Sequence, residues 1–151
     1  MNMMSDPNAD RKGWLSLLAK SPAEDVARYW VALDMDPDHA VLRSPEIGGV
    51  MVRGRAGAVG AAFNLGEMTV TRASIKLSDG TVGHGYVQGR SKVHALQAAL
   101  VDALMQTEAA DKVAAGVLAP LRAAMTTRRN ERAAKAAATK VDFFTVARGE
   151  D

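Results

Sequence analysis

The stretch LGEMTVTRASIKLSDGTVGHGYVQGRSKVHALQAALVDALM, residues 65–105, decides the fold of this chain. Residues 68–77 are rich in Val, Ile and Thr, which favour a half-buried β-strand. Asp79 and Gly80 are the strongest hairpin signal in the chain, and this pair predicts a type I′ turn with positive φ at both residues. Residues 81–87 then return as a second strand. The stretch therefore predicts an antiparallel hairpin.

A helix is predicted directly after this hairpin. Ser91 is a suitable N-cap because its hydroxyl can accept a bond from a free backbone N–H of the first turn. Apolar residues then recur at spacings of three and four, which gives the helix one apolar side. That side consists of Val93, Leu96, Leu100 and Leu104.

The junction between strand and helix is a candidate contact for an anion or a partner protein. Helix N-termini attract anions, and Gly89 permits close approach of a ligand between Gln88 and the cations Arg90 and Lys92. Arg72, on the first strand, is a further candidate for the same role. The structural alternative is that Gly89 only makes the turn and that Arg90 is solvated or paired with an acid. For Arg72 the alternative is an exposed arginine on the face of the sheet.

Composition restricts the possible classes of protein. The 151 residues fit one domain with ordinary globular composition, and the lack of cysteine excludes disulfides, thiol nucleophiles and thiolate metal sites. No apolar run approaches the ~20 residues of a membrane span, and the N-terminus does not resemble a secretory signal, so a cytoplasmic protein is expected. The net charge is +2, but six basic residues and one acid lie between Arg122 and Lys140.

The rest of the chain predicts a single α+β domain over residues 11–140, preceded by a disordered leader over 1–10. Helices are expected at residues 11–20 and after Ser21-Pro22, where Ser is the N-cap and Pro takes the first helical position. Short strands are expected at 39–43 and 50–55, separated by a turn at Pro45 and Gly48-Gly49. Together with the hairpin they predict an antiparallel meander of about four strands, covered by helices.

The C-terminal part predicts a helix followed by an extended arm. Residues 121–139 are rich in alanine and have few large apolar residues after Met125, so this helix buries little surface alone. Residues 141–151 contain Phe143 and Phe144 beside two valines, followed by Arg148. An apolar segment after a basic helix indicates docking, either onto this domain or onto a subunit interface.

No catalytic constellation is visible in the sequence. The histidines His39, His84 and His94 lack metal-ligand spacing, although His84 and His94 could lie near each other, and no G-x-S-x-G pattern occurs. We therefore expect no metal and no catalytic residue in this chain. Two classes remain open beside an assembly subunit: a stand-alone nucleotide- or anion-binding protein, and a basic nucleic-acid-binding module, which is disfavoured because the basic helix lacks interleaved aromatics.

Several segments resemble one protein family. The run TVTRASIKLSDGTVGHGYVQGRSKVHALQAALVDALMQ, the Leu-Ala-Pro-Leu segment at 118–121 and the terminal KVDFFTVARGED are similar to PhnG, the G subunit of the bacterial carbon–phosphorus lyase system. The opening RKGWLSLLAKSPAEDVA is similar as well, so the resemblance covers residues 11–151.

The resemblance implies a cytoplasmic subunit of a core complex with H, I and J subunits. It implies that, with its H, I and L partners, the chain is required to transfer the ribose 5-triphosphate group of MgATP to a phosphonate such as methylphosphonate, with release of adenine. The chain itself is then expected to be non-catalytic and to hold no cofactor, with MgATP as a substrate of the complex.

Overall fold

A computed structural model describes the backbone of residues 7–55 and 62–149, and the side chains of residues 9–54 and 66–139. Within these ranges the elements follow the order predicted around the central hairpin. They are α1 (Pro7–Lys20), α2 (Ala23–Leu33), β1 (His39–Arg55), β2 (Ala62–Leu77), β3 (Val82–Gln88), α3 (Lys92–Leu104), α4 (Ala110–Val113), a π-helical turn (Ala114–Leu118) and α5 (Ala119–Gly149).

The three strands form an antiparallel meander in the order β1-β2-β3. The α+β meander is confirmed, but it has three strands in the described residues rather than about four. The turn predicted at Pro45 and Gly48-Gly49 is wrong, because β1 runs through it as one strand with shifts of register on either side of Arg43. Since β1 is an edge strand, it accommodates a proline that lacks an N–H, and the irregular register absorbs the misfit.

The turn between β2 and β3 lies where the sequence predicts it, but it is not of type I′. Gly80 has a φ of 96°, whereas Asp79 does not have a positive φ. The Gly80 N–H donates to the Leu77 carbonyl at 3.0 Å, and the Thr81 N–H donates to the Asp79 carboxylate at 2.9 Å. This is the geometry of a three-residue loop closed by a left-handed glycine, the next most common hairpin connection.

Helix α3 packs against the inner face of the sheet at unusually close range. Thr71, Ala73, Ile75 and Leu77 of β2 are buried on this face. A Cβ atom added to Gly83 would lie 2.0 Å from the Ala99 carbonyl oxygen, and one added to Gly85 would lie 2.0 Å from the Ala95 carbonyl oxygen. The glycines of β3 therefore let the helix backbone rest on the strand, where no side chain fits between them.

The other helices complete the core around α3. Leu17 and Leu18 of α1 and Val26 of α2 are buried, as are Val113, Val117 and Leu121 from α4 to α5. Helix α1 begins at Pro7, so residues 7–10 of the predicted leader are helical, and the remainder of that leader lies outside the described residues. No helix in the described part of the chain is both long and apolar enough to cross a membrane.

Helix α5 differs from the predicted C-terminal architecture. Its backbone continues through residues 141–149 to Gly149, so the expected extended arm is helical there, as its alanine-rich beginning favours. Residues 131–139 are all exposed, which confirms that this helix buries little surface beyond Met125. The side chains of Phe143, Phe144 and Arg148 lie outside the described residues, so their docking role stays a prediction.

Candidate functional site

The junction between β3 and α3 is a tightly bonded turn. Gly89 has a φ of 96°, which favours glycine, and its N–H donates to the Thr69 carbonyl at 2.9 Å. The buried Thr71 hydroxyl donates to the Gly89 carbonyl at 2.7 Å. The Ser91 hydroxyl accepts from the His94 N–H at 3.1 Å, which confirms the predicted N-cap. Gly89 therefore makes the turn, and its own polar groups are already bonded within the fold.

The cations singled out in the sequence do not all converge on this junction. Arg90 and Lys92 lie at it and are exposed. Arg72 instead lies on the outer face of the sheet, where its guanidinium is 3.7 Å from the Glu46 carboxylate. Arg43 reaches the same carboxylate at 3.4 Å. Because these side chains are about half exposed, the pairs contribute little to stability. Arg72 is thus an exposed arginine of the sheet face, and its role as an anion or partner contact stays a prediction.

Gln88 belongs to a concave site that we call the basic cleft. The cleft has a volume of about 270 Å³ and lies between the end of α1, the end of β3 and the middle of α5. Its lining consists of Lys20, Gln88, Met125, Arg128, Arg129 and Arg132. The sequence shows Gln88 and the basic run of α5 separately, but the juxtaposition of α1, β3 and α5 depends on tertiary packing that no local motif encodes.

The charges of the basic cleft are only partly balanced. Arg128 is 3.5 Å from an oxygen of Asp25, and the other oxygen of Asp25 accepts from Arg28 at 2.7 Å. Among the residues whose side chains are described, Lys20, Arg129 and Arg132 form no ion pair. The lining therefore carries four cations, and Asp25, which pairs with one of them, lies outside the lining and is shared with Arg28. This excess of positive charge produces a positive potential that favours the binding of an anion.

A buried carboxylate on α3, which the sequence analysis missed, ties α1 to the sheet. Asp102 is fully buried, and its two oxygens accept four hydrogen bonds. Arg11 donates two of these bonds at 3.1 and 2.8 Å, while the Trp14 indole and the His84 backbone N–H each donate one at 2.8 Å. The bond to Asp102 also raises the pKa of Arg11. The sequence signal that could have revealed this role is the position of Asp102, an acidic residue among the apolar residues of a helix predicted to pack in the core.

The histidines do not form a common site. The His84 imidazole lies on the outer sheet face, with Nδ1 2.8 Å from the Ser74 hydroxyl. His94 is buried in α3, with Nε2 2.8 Å from the Leu18 carbonyl oxygen. Burial lowers the pKa of His94 from its ordinary value, although the bond to Leu18 and the charge of Glu24 oppose that shift. Neutral His94 thus donates to Leu18 and holds α1 against α3.

Strand β1 exposes large apolar side chains and forms a second candidate surface beside the basic cleft. β3 pairs only with residues 70–76 of β2, so residues 49–55 of β1 and 62–69 of β2 continue as a two-stranded ribbon. Four of the seven large apolar side chains that are exposed in the described residues lie on β1. They are Val41, Leu42, Ile47 and Met51, which we call the β1 surface. Their exposed fractions range from 48% to 56%.

Comparisons with known proteins cover both surfaces. The sequence model of the family described as phosphonate metabolism protein PhnG matches residues 9–149. A protein of Rhizobium meliloti (strain 1021), named alpha-D-ribose 1-methylphosphonate 5-triphosphate synthase subunit PhnG, is 43% identical over 143 residues. That alignment covers 95% of this chain and 92% of the relative. The matched range includes the basic cleft and the β1 surface, so both belong to the shared domain.

Proposed function

This chain belongs to the PhnG family of phosphonate metabolism proteins, and we propose that it is the corresponding subunit of an α-D-ribose 1-methylphosphonate 5-triphosphate synthase complex. The likeness to the Rhizobium meliloti subunit over nearly the full length of both chains supports this role. We assign no catalytic residue to the chain. Its contribution is to assembly, and catalysis takes place in the complex.

The feature of the structure that best supports an assembly role is the β1 surface. β1 is an edge strand of 17 residues, and long edge strands present unpaired backbone groups that favour association with another chain. A two-stranded ribbon is only marginally stable in water by itself. Half-exposed Ile47 and Met51, where the ribbon leaves the sheet, gain burial when another subunit covers β1. The occupant we propose is another subunit of the synthase.

The proposed partners follow from the family resemblance described above. The chain assembles with H, I and J subunits and acts functionally with the L subunit. The complex transfers the ribose 5-triphosphate group of MgATP to methylphosphonate, with adenine as the leaving group. MgATP is a substrate of the whole complex, this chain holds no cofactor of its own, and assembly takes place in the cytoplasm.

The end of α5 is the second proposed contact with a partner. Phe143 and Phe144 follow the exposed part of the helix, and two buried phenylalanines contribute about 1.5–3 kcal/mol each to an interface. Arg148 follows them one helical turn later and adds a cation. Phe143→Ala with Phe144→Ala should therefore weaken assembly, and gel filtration of an unchanged complex would contradict this proposal.

Co-purification tests the proposed function. The tagged chain is expressed with its H, I and J homologues, and we expect a stoichiometric complex. Ile47→Asp with Met51→Asp should remove the chain from the complex, because two carboxylates would have to be buried unpaired. Val31→Asp with Val93→Asp is the matched control, since it places the same charges at exposed apolar positions of α2 and α3.

Two outcomes of that experiment would count against the proposals. If the wild-type chain elutes alone, the assembly function itself is wrong. If the Ile47/Met51 variant assembles as well as its control, the β1 surface does not carry assembly. Circular dichroism of both double variants must match the wild type, so that a loss of assembly is not a loss of folding.

A further inference from the structure

Within the described side chains, most of the positive charge that lines the basic cleft is not paired with an acidic group. Arg128 and Arg132 lie four residues apart on α5, and Arg129 lies three residues before Arg132, so these like charges are neighbours on the helix. Lys20 approaches from the last turn of α1. Only Arg128 has an acidic partner in the described side chains, and it shares Asp25 with Arg28. Repulsion within this cluster is relieved when an anion enters.

The chemistry of the lining favours phosphate. Three of the four cations are arginines, whose planar guanidinium groups donate pairs of parallel hydrogen bonds to phosphate oxygens. Gln88 adds an amide donor beside them. The volume of the basic cleft, about 270 Å³, lies below the ~300–1,000 Å³ usual for sites that enclose a whole small molecule. Within the side chains described, the lining includes no aromatic ring on which a base could stack.

We propose that the basic cleft binds the phosphate chain of the ribose 5-triphosphate substrate or product of the complex; this assignment rests on the proposed function. A triphosphate ester carries one negative charge on each of its three phosphates and most of a second charge on the terminal phosphate at pH 7, so its total of about four matches the four cations of the lining. The cleft holds the phosphate end, and the sugar and the reacting groups extend towards other subunits. The chain is thus a substrate-positioning subunit as well as an assembly subunit.

Two other occupants are less well supported by the same geometry. A nucleic-acid duplex needs cations spaced along an extended surface, whereas these four converge on one concave site formed by three separate elements. An acidic segment of a partner protein would present carboxylates on a much larger contact area, since stable interfaces bury roughly 800 Å² per partner. Both occupants nevertheless give distinct results in the test below.

The test measures binding of inorganic tripolyphosphate to the full-length chain by titration calorimetry, and then repeats it on the co-purified complex. Arg129→Gln with Arg132→Gln removes two cations that have no ion pair in the described residues, and it should weaken binding at least about tenfold. Lys76→Gln with Lys112→Gln is the matched control, because it removes the same charge from exposed positions outside the cleft. The control should change the affinity less than about twofold.

Each other result overturns the proposal in a recognisable way. If neither the chain nor the complex binds tripolyphosphate, the cleft is not a phosphate site, whereas the assembly function stands as long as the complex still forms. If the Arg129/Arg132 variant no longer co-purifies, the cleft is a protein interface. If a random DNA duplex displaces tripolyphosphate with a steep dependence on salt, the cleft is a nucleic-acid site. If both double variants weaken binding equally, the effect is one of net charge alone.

Discussion

The buried carboxylate of Asp102 offers a direct test of what holds α1 in place. Asp102→Asn keeps the size of the side chain but replaces one acceptor oxygen by an amide donor. In the wild type, Oδ1 accepts from Arg11 Nε and Trp14 Nε1, and Oδ2 accepts from Arg11 Nη2 and the His84 N–H. Either orientation of the asparagine therefore places an N–H group against two donors and removes two of the four bonds.

The expected cost follows from the burial of these groups. Leaving a buried donor unsatisfied costs about 1–3 kcal/mol, and removing one member of a buried ion pair is among the more destabilising single changes. Arg11 is 33% exposed and can turn towards water, which reduces its share of the loss. We therefore expect Asp102→Asn to lower the free energy of unfolding by about 2–4 kcal/mol.

Urea unfolding followed by circular dichroism and tryptophan fluorescence measures this loss. Asp36→Asn is the control, because Asp36 is exposed, and it should change the free energy of unfolding by less than about 0.5 kcal/mol. A double-mutant cycle with Arg11→Gln should give a coupling energy of about 1 kcal/mol or more. If Asp102→Asn costs no more than its control, the carboxylate is not the link between α1, α3 and β3.

Gly85, Thr71 and His94 each make a buried contact whose loss should be measurable in the free energy of unfolding. Gly85→Ala should destabilise the fold by about 2 kcal/mol or more, because its Cβ meets the Ala95 carbonyl, whereas Gly48→Ala on open β1 should be close to neutral by the same urea assay. Thr71→Val should cost about 1–2 kcal/mol, since the Gly89 carbonyl loses its donor, and Thr126→Val at an exposed position of α5 is the control. Burial lowers the pKa of His94, so the unfolded chain binds its proton first as the pH falls. Stability should therefore decline as the pH falls through the ordinary value of 6.5, and His94→Gln should flatten that dependence in the free energy of unfolding. An unchanged slope in His94→Gln, a neutral Gly85→Ala or a Thr71→Val no worse than its control would each refute the corresponding contact.

The parts of the fold that could be predicted were those with local signals. The Val, Ile and Thr content of residues 68–77, the Asp79-Gly80 pair and the Ser91 cap each specify local geometry, and β2, β3 and α3 follow in the expected order. The predicted interruption of β1 was wrong, and the strand is continuous. Pro45 and the neighbouring glycines would disrupt a central strand, but an edge strand tolerates them. The predicted turn type was also wrong, because a three-residue loop, one residue longer than a type I′ turn, is compatible with the same Asp-Gly pair.

The parts that could not be predicted depend on contacts between distant segments. The acceptor role of Asp102 requires Arg11 and Trp14, which lie about ninety residues earlier in the chain. The basic cleft requires that Lys20, Gln88 and the arginines of α5 meet, and no periodicity in the sequence indicates that meeting. Gln88 was a candidate for the right chemistry, but its neighbours in space are not its neighbours in sequence.

The two buried polar groups of α3 connect the core to the cleft. Asp102 binds Arg11 and Trp14, and His94 binds the Leu18 carbonyl, so α3 holds α1 at two places along its length. The same Asp102 also accepts from the His84 N–H of β3, which fixes α1 relative to that strand. Lys20 follows Leu18 by two residues and Gln88 ends β3, so both lie just beyond these fixed points. An apolar core would tolerate sliding of α1 along α3, whereas directional bonds do not. These buried groups therefore set the spacing between Lys20 and Gln88, and with it the spacing of the groups that the cleft presents to a phosphate chain.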